Sequence, residues 1–593
     1  MGRSSFRSTL GACAFLMAAQ AGAAAIPWQS QWSDALFTQA AHEHRLVLLD
    51  LHAVWCHWCH VMDEETYADP HVQALITKKY VAVSVDADSD PDLASRYGDW
   101  GWPATIVLAA DGSEIVKRRG YMPPAQMASL LQAIIDDPSP GPSVGKPASI
   151  TAAGGTQLGR AERVALTRVY EQLYDQDHGG WGEVHKFIDA ASLELSYSNI
   201  DAGDGAAQRR SRQTLDANLH LIDPVWGGVY QYSDAVDWQS PHFEKLMSFQ
   251  ADDLRLYSEA YARWHDPRYL DAAQALYGYM TKFLAAPDGG FYVSQDADVS
   301  AQVTGHDFYP KDDAGRRAIG MPRIDTHEYA RETGWAIRAL CKYYDVTGRR
   351  DALATAERAA YWAISHRALA SGAFGHDASD RGGPFLDDAL AMSQAFVALY
   401  RSTGDRVWLG HAAAALDFVD GHLRDPRGGY IAAPRTAQGR GVFREPVRQP
   451  ELNASLVRVA NIMSHYTGEI RYKRMATHGM RYLAAFARAA PEQLRSEILL
   501  ADRELSAAPV HITVIGHKSD PAARLLHAAA LRYPADYLQI DWWDPEEGPL
   551  PNREVRYPQL DQAAAFACTA SACSLPVFDA ANIEPAVRAA LTP

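Results

Sequence analysis

The chain has 593 residues, 56 Lys+Arg against 72 Asp+Glu, a formal charge of −16 and six cysteines. At about 150 residues per domain it holds three or four domains, or one large architecture with attachments, and a small disulfide-stapled scaffold is excluded. The acidic balance is spread along the chain without a tail or a basic block, so nucleic acid is not an expected partner.

Met1 to Ser8 carries Arg3 and Arg7 with no acid, and Leu10 to Ile26 is apolar or small except for Gln20. Ala21-Gly22-Ala23 and Ala23-Ala24-Ala25 fit a small-x-small cleavage site. A signal peptide over 1–25 is therefore expected, and with it an exported protein, periplasmic or secreted. No later stretch reaches the roughly 18 apolar residues of a membrane span, so no membrane attachment is expected once the signal is gone. Its removal takes Cys13 and leaves Cys56, Cys59, Cys341, Cys568 and Cys573. In an oxidising compartment a close pair is a disulfide or a redox couple. Cys341, inside the helical pattern Trp335 to Tyr344, is expected to be a buried thiol.

In the segment 26–137 a short helix over Trp32 to His42 precedes an apolar strand at Arg45 to Leu51, which runs into Cys56-His57-Trp58-Cys59-His60. Strands fit Tyr80 to Val85, Thr105 to Ala109 and Glu114 to Arg118, and Pro124 to Ile135 is helical. This order resembles thioredoxins. The resemblance implies that Cys56 is the nucleophile, Cys59 the resolving thiol, Asp50 the buried carboxylate beside it and Pro103 the cis-proline that presents backbone to a partner. Val83 stands where many thioredoxins have a lysine. His57 and His60 favour a thiolate and so an oxidising couple. Three readings compete for the same residues: C-x-x-C-H as a c-type haem site, a zinc site, and a structural disulfide. The flanking strand and Trp102-Pro103 favour the thioredoxin reading, so neither a cofactor nor a metal is expected.

Asp136 to Ser149 holds four prolines and two glycines and reads as a linker at 138–150. Over 151–500 helical patterns alternate with Gly179-Gly180-Trp181, Gly227-Gly228-Val229-Tyr230, Gly289-Gly290-Phe291, Gly372-Ala373-Phe374 and Gly428-Gly429-Tyr430. Such spacing suits six helical hairpins closed into an (α/α)6 toroid, whose loops end helices and, gathered at one mouth, would offer aromatics to a sugar ring. A small α/β appendage over 501–593 contains Cys568 and Cys573, expected to be a structural disulfide or a second redox pair. The fold class is thus multidomain α/β plus all-α.

The C-H-W-C-H-V-M run from Cys56, Pro241-His242-Phe243-Glu244-Lys245, Asp296-Ala297-Asp298 and Cys568-x4-Cys573-Ser574-Leu575-Pro576 together resemble the spermatogenesis-associated protein 20 family. The resemblance implies a thioredoxin-like domain fused to a six-hairpin toroid related to sugar epimerases and glycosidases, here in a shortened, exported form. Candidate pocket residues in the toroid are His242, Glu244, Lys245, Asp296, Asp298, Asp387 and Asp388, since paired carboxylates and histidines serve proton transfer at sugar carbons. The alternative role for these residues is to cap helices and pair with arginines. The expected partner is a protein thiol or disulfide, or a carbohydrate-like small molecule.

Overall fold

The structure, a computed structural model, describes residues 25–144, 150, 155–182, 184–379, 383–435, 439–554, 556–558, 560–569 and 573–591. Residues 1–24 of the expected signal and 145–149 of the expected linker lie outside them.

The first unit opens with α1 (Asp34–Glu43) and β1 (Leu46–His52), then α2 (His57–Val61), which continues as a π-helical turn through Thr66. α3 (Pro70–Lys79), β2 (Tyr80–Asp86), α4 (Pro91–Tyr97), β3 (Ala104–Leu108), β4 (Glu114–Arg119) and α5 (Pro124–Asp136) follow. The sheet order is β2-β1-β3-β4, with β1 parallel to β2 and antiparallel to β3. β1 is covered on both faces and buried over its five central residues, which is why Leu46 to Leu49 reads as a continuous apolar run rather than an alternating one.

The helical domain contains α6 (Arg160–Gln172), α7 (Ala190–Asp201), α8 (Gly205–Asn218), α9 (Met247–Trp264), α10 (Pro267–Tyr279), the short α11 (Gly305–Phe308) and α12 (Asp313–Ile319), α13 (Ala330–Thr347) and α14 (Arg350–His366). After these come α15 (Leu386–Thr403), α16 (Val407–His422), α17 (Pro450–Thr467), α18 (Ile470–Ala489) and α19 (Ser496–Ser506). α7, α9, α13, α15, α17 and α19 pack in that order and α19 returns to α7, so they close a ring. α8, α10, α14, α16 and α18 each pack outside the inner helix that precedes them, and α6 closes the last pair against α19. The sixth hairpin is therefore built from the two ends of the domain. Burial follows position: α13 and α15 are buried along most of their length, whereas α14 buries the stripe Ala352, Ala356, Ala359, Ala360 and Ala363.

The five glycine-aromatic loops all lead from an outer helix to an inner one and therefore share one end of the ring. The aromatics do not face a ligand there. Short bridges such as Ala285 with Phe291 and Arg424 with Tyr430 fold each loop back, and Trp181, Phe291, Phe374 and Tyr430 drop into the helical core. At this end the strand pair β5 (Tyr232–Ser233) and β6 (Pro241–His242) lies beside a three-stranded sheet of β7 (Lys245–Leu246), β8 (Ser294–Gln295) and β9 (Ile324–Asp325). At the other end α13, α15 and α17 stop on Gly348, Gly404 and Gly468, all in the left-handed region.

The appendage has β10 (Val510–Ile515), α20 (Pro521–Leu531), β11 (Leu538–Trp543), β12 (Ala564–Cys568) and α21 (Ile583–Leu591). Its order β11-β10-β12, parallel on one side and antiparallel on the other, repeats β2-β1-β3 of the first unit. It covers the tight-turn end of the ring: Tyr400 Oη donates to Asp541 Oδ1 (2.7 Å), His527 Nε2 donates to the Arg401 carbonyl (3.1 Å) and Arg406 donates to the Glu547 carbonyl (2.8 Å).

Candidate functional site

Cys56 is the N-cap of α2, and its Sγ accepts a hydrogen bond from the Cys59 N–H at 3.1 Å. Cys56 and Cys59 form a disulfide. A sulfur at this position receives the free N–H groups and positive end of the helix, the surroundings that lower a thiol pKa. Asp50 lies on β1, 3% exposed, where Tyr67 Oη and Ser84 Oγ donate to its two oxygens at 3.1 and 2.9 Å. Hydroxyls thus hold the carboxylate that a lysine accompanies in many thioredoxins, and Val83 packs in β2 opposite Leu49. The Trp102–Pro103 peptide is cis.

The pair does not face solvent: Cys56 is 4% and Cys59 3% exposed, and Leu246 of β7 packs against their cluster together with Trp102. The glycine-aromatic end of the ring is docked on the redox helix. His57 Nδ1 meets Asp298 Oδ2 at 2.5 Å, and His60 Nδ1 stands 3.6 Å from Asp296 Oδ2. The Glu244 carboxylate lies beside the His57 backbone, its Oε2 buried without a hydrogen bond among the described residues and 3.7 Å from His242 Nδ1. Asp298 also accepts from the Gly305 N–H at 2.7 Å, the start of α11, which fixes the loop that carries it.

These contacts set the protonation of the interface. The hydrogen bond that His57 donates to Asp298 raises the His57 pKa, while burial lowers that of His60. Burial works to raise Asp298, but the His57 pair outweighs it and holds this carboxyl below its usual range. Asp296 is pushed up to about 7 by burial, and Glu244 is raised for the same reason.

A second set of contacts flanks the first. Trp55 Nε1 donates to Asp88 Oδ2 at 2.8 Å, and Arg331 of α13 reaches Asp88 Oδ1 and Asp387 Oδ2, both at 3.4 Å. His376 is 2% exposed; its Nε2 donates to the Asp88 carbonyl (2.7 Å) and its Nδ1 faces both oxygens of Asp388 (3.0 and 3.1 Å). With acceptors on both nitrogens the imidazolium is favoured: burial opposes it, yet the Asp388 pair raises the pKa.

The structure thus separates the candidate residues. His242, Glu244, Asp296 and Asp298 gather at the redox helix, and Asp388 belongs to the flanking lattice. Asp387 lines an axial cavity of the ring. Lys245 is elsewhere, fully buried among Tyr230, Tyr279 and Tyr309, with Nζ 2.7 Å from Asp223 Oδ2, an aspartate that Arg316 also grips. Cys568 and Cys573 form a disulfide in the appendage, at the opposite end of the ring from Cys56. Cys341 is a free, buried thiol whose pKa burial raises.

Arg331, His376 and Asp88 escape sequence reasoning because their partners lie far away along the chain. The run Trp335, Arg338 and Lys342, which lines the axial cavities, carries a legible signal, residues able to hydrogen-bond at helical spacing on a helix otherwise buried. Among the described residues, His517, Asp544 and Glu546 bring ligand atoms within 4.8 Å of one another. They lie on the appendage, away from the redox pair.

A family described as Thioredox_DsbH, "Protein of unknown function, DUF255", matches residues 12–136. Spermatogenesis-associated protein 20 of Homo sapiens is 27% identical over 302 residues, 45% of this chain and 38% of the relative, so the match spans well under half of that protein's length. A thioredoxin of Alicyclobacillus acidocaldarius subsp. acidocaldarius is 29% identical over 105 residues, 17% of this chain and 94% of the relative. Among solved structures, D-mannose isomerase aligns with a TM-score of 0.45 and 10% identity over 61% of this chain and 99% of that one. Cellobiose 2-epimerase from Bacillus thermoamylovorans aligns at 0.44 and 11%, over 54% of this chain and 85% of that one. By its motifs, its matched relatives and its own ring of helices, the chain is similar to the spermatogenesis-associated protein 20 family, a thioredoxin-like domain joined to an (α/α)6 toroid.

Proposed function

We propose that the protein is a thiol–disulfide oxidoreductase whose redox pair works beneath the toroid mouth. The observation that carries this reading is the Cys56–Cys59 disulfide at the start of a helix in a thioredoxin-like domain, with His57 paired to Asp298 beside it. As an oxidant, the Cys56–Cys59 disulfide is attacked at Cys56 Sγ by a partner thiolate, and Cys59 leaves as a thiolate that takes a proton. A second partner thiolate then displaces Cys56, so the partner gains a disulfide and the pair takes up two electrons. The reverse sequence starts with the Cys56 thiolate attacking a partner disulfide and ends with Cys59 resolving the mixed disulfide. The His57 cation beside Cys56 stabilises the thiolate and favours the oxidising direction. Asp50 is the proton acceptor available to the resolving thiol. The partner is a protein thiol or disulfide, and the place of action is outside the cytoplasm, as the first 25 residues suggest.

Cys59→Ser expressed in a native host should accumulate a mixed disulfide through Cys56, seen as a reducible high-mass band. No trapped partner, together with a Cys56 thiol pKa near the free-thiol value of about 8.5, would sink the reading. Fractionation tests the location.

The axial cavity, with Asp387 and Trp335 in its wall, supports a second reading as a carbohydrate-active enzyme. Turnover of mono- or disaccharides unaffected by Cys56→Ser would favour it, and sugar binding without turnover would point to a non-catalytic glycan- or client-binding protein.

A further inference from the structure

The inner faces of α9, α13, α15 and α17 enclose a cavity of about 310 Å³ on the ring axis. Below it, towards the appendage, a second cavity shares Arg255, Arg338 and Gln394 with the first. Around these three residues the guanidiniums of Arg255, Arg458 and Arg338 share the carboxylates of Glu194, Asp252 and Glu504 unevenly, with Asp387 and Glu451 further along the cavity wall. Arg255 and Arg458 each reach one oxygen of the Glu194 carboxylate at 2.5 Å, which occupies both oxygens. Arg255 also has Asp252 at 3.1 Å, and Arg458 has Glu504 at 2.8 Å. Arg338 is the third guanidinium at the same place. Its nearest acid oxygen is that of Glu194, 3.8 Å away and already held by Arg255, and it makes no hydrogen bond with the protein. Gln394 and the indole N–H of Trp335, which line the same space, also lack protein hydrogen bonds.

We propose that this cavity is a binding site for a small organic anion, a carboxylate or a phosphate ester, with Arg338 as its anchor. A guanidinium is a fork of five donors, and leaving it unpaired inside a protein costs free energy that a carboxylate or phosphate recovers by bidentate pairing. Arg338 is under that strain now: burial, and the positive charge of Arg255 next to it, lower its pKa to about 10. The 30% of its side chain that stays exposed opens on the cavity. Trp335 offers an apolar face beside it, and the volume is at the small end of the range in which proteins hold small ligands, which suits a single sugar-sized molecule. An uncharged sugar offers hydroxyl acceptors to Arg338 but no countercharge. The inference does not rest on the redox reading, since the Arg331–Asp387 contact stands between this cavity and the cysteines.

Thermal unfolding and calorimetry of the full chain test it with four probes: glucuronate, glucose 6-phosphate, inorganic phosphate and, as the uncharged control, glucose. The anions should bind and raise the melting temperature while glucose does not, and Arg338→Gln should weaken anion binding by about tenfold or more. Glucuronate acting alone assigns the carboxylate, and the two phosphates acting together assign the phosphate group. Because Arg338→Gln removes a charge whose nearest acid, Glu194, is already held by two other arginines, the unliganded variant should be at least as stable as the parent. Should that variant fail to fold, Gln394→Ala takes its place, with the same expected loss. Equal effects of glucose and the anions, an unchanged affinity in the variant, or no binding of any anion would overturn the proposal.

Discussion

Asp298 is the residue through which the toroid touches the redox chemistry. Its bond to His57 keeps a cation one residue from Cys56, so Asp298→Asn should let the Cys56 thiol pKa rise and make the pair a weaker oxidant, read by pH-dependent alkylation and by equilibration with glutathione. His242 and Glu244 are close by, but Glu244 acts on the His57 ring through its charge alone, without the hydrogen bond that Asp298 makes, so Glu244→Gln should move the thiol pKa less than Asp298→Asn does. A different residue-scale test concerns the turns. Gly228 has φ +78°, and a Cβ there would stand 2.6 Å from the Tyr279 ring. Gly228→Ala should cost about 2 kcal/mol, measured by denaturant unfolding, because strain and overpacking add. The Gly-Gly-aromatic loops were legible in the sequence as helix ends, yet their aromatics were not legible as core, since residue type alone does not say which way a side chain falls when a two-residue bridge reverses the chain.

The interface between α2 and the sheet of β7, β8 and β9 is an assembly of elements whose strength depends on pH. His57 has a raised pKa in the folded protein, so its contribution is complete below about pH 6.5 and fades as pH climbs through the raised value. Asp296, raised to about 7 by burial, acts in the same sense: the folded protein holds its proton longer than the unfolded chain does, so docking loses support between about pH 4 and 7. Asp298, held low, sets the acid limit, and its support disappears as pH falls through its lowered value. Docking should therefore be firmest in mildly acidic solution and loosen above neutrality, seen as lower hydrogen-exchange protection factors in 57–66 at pH 8 than at pH 5.5, after division by the intrinsic rate at each pH, and Asp298→Asn should flatten that difference. At this scale the sequence was informative where an element is repeated. β1 and β2 begin within one residue of their expected positions, and the helical patterns marked the ring. The Thr347-Gly348, Thr403-Gly404 and Thr467-Gly468 steps, each ending an inner helix, are a second repeat that identifies the inner helices as such. What no local pattern contains is the meeting of His57 with Asp298, 241 residues apart.

In the whole molecule the ring is covered at both ends, by the first unit over the mouth and by the appendage over the tight turns. Access to the cysteines therefore depends on size. A small thiol should reduce the Cys56–Cys59 bond more readily than a protein reductant of equal driving force, and Leu246→Asp, which puts a charge into the contact, should narrow that gap in stopped-flow reduction. The two disulfides sit beyond opposite ends of the ring, so exchange between them has no direct route in this arrangement, and Cys568→Ser should leave the redox potential of the first pair unchanged. The closure of the ring by α6 against α19 has one more consequence, and it concerns time. On a ribosome the first unit is complete once residue 136 has emerged, whereas the mouth that covers it is not whole until Ser506 has been added and the two ends of the helical domain meet. Each newly made chain thus passes through an interval in which its reactive cysteines stand open to any passing thiol or oxidase, before its own later half seals them in.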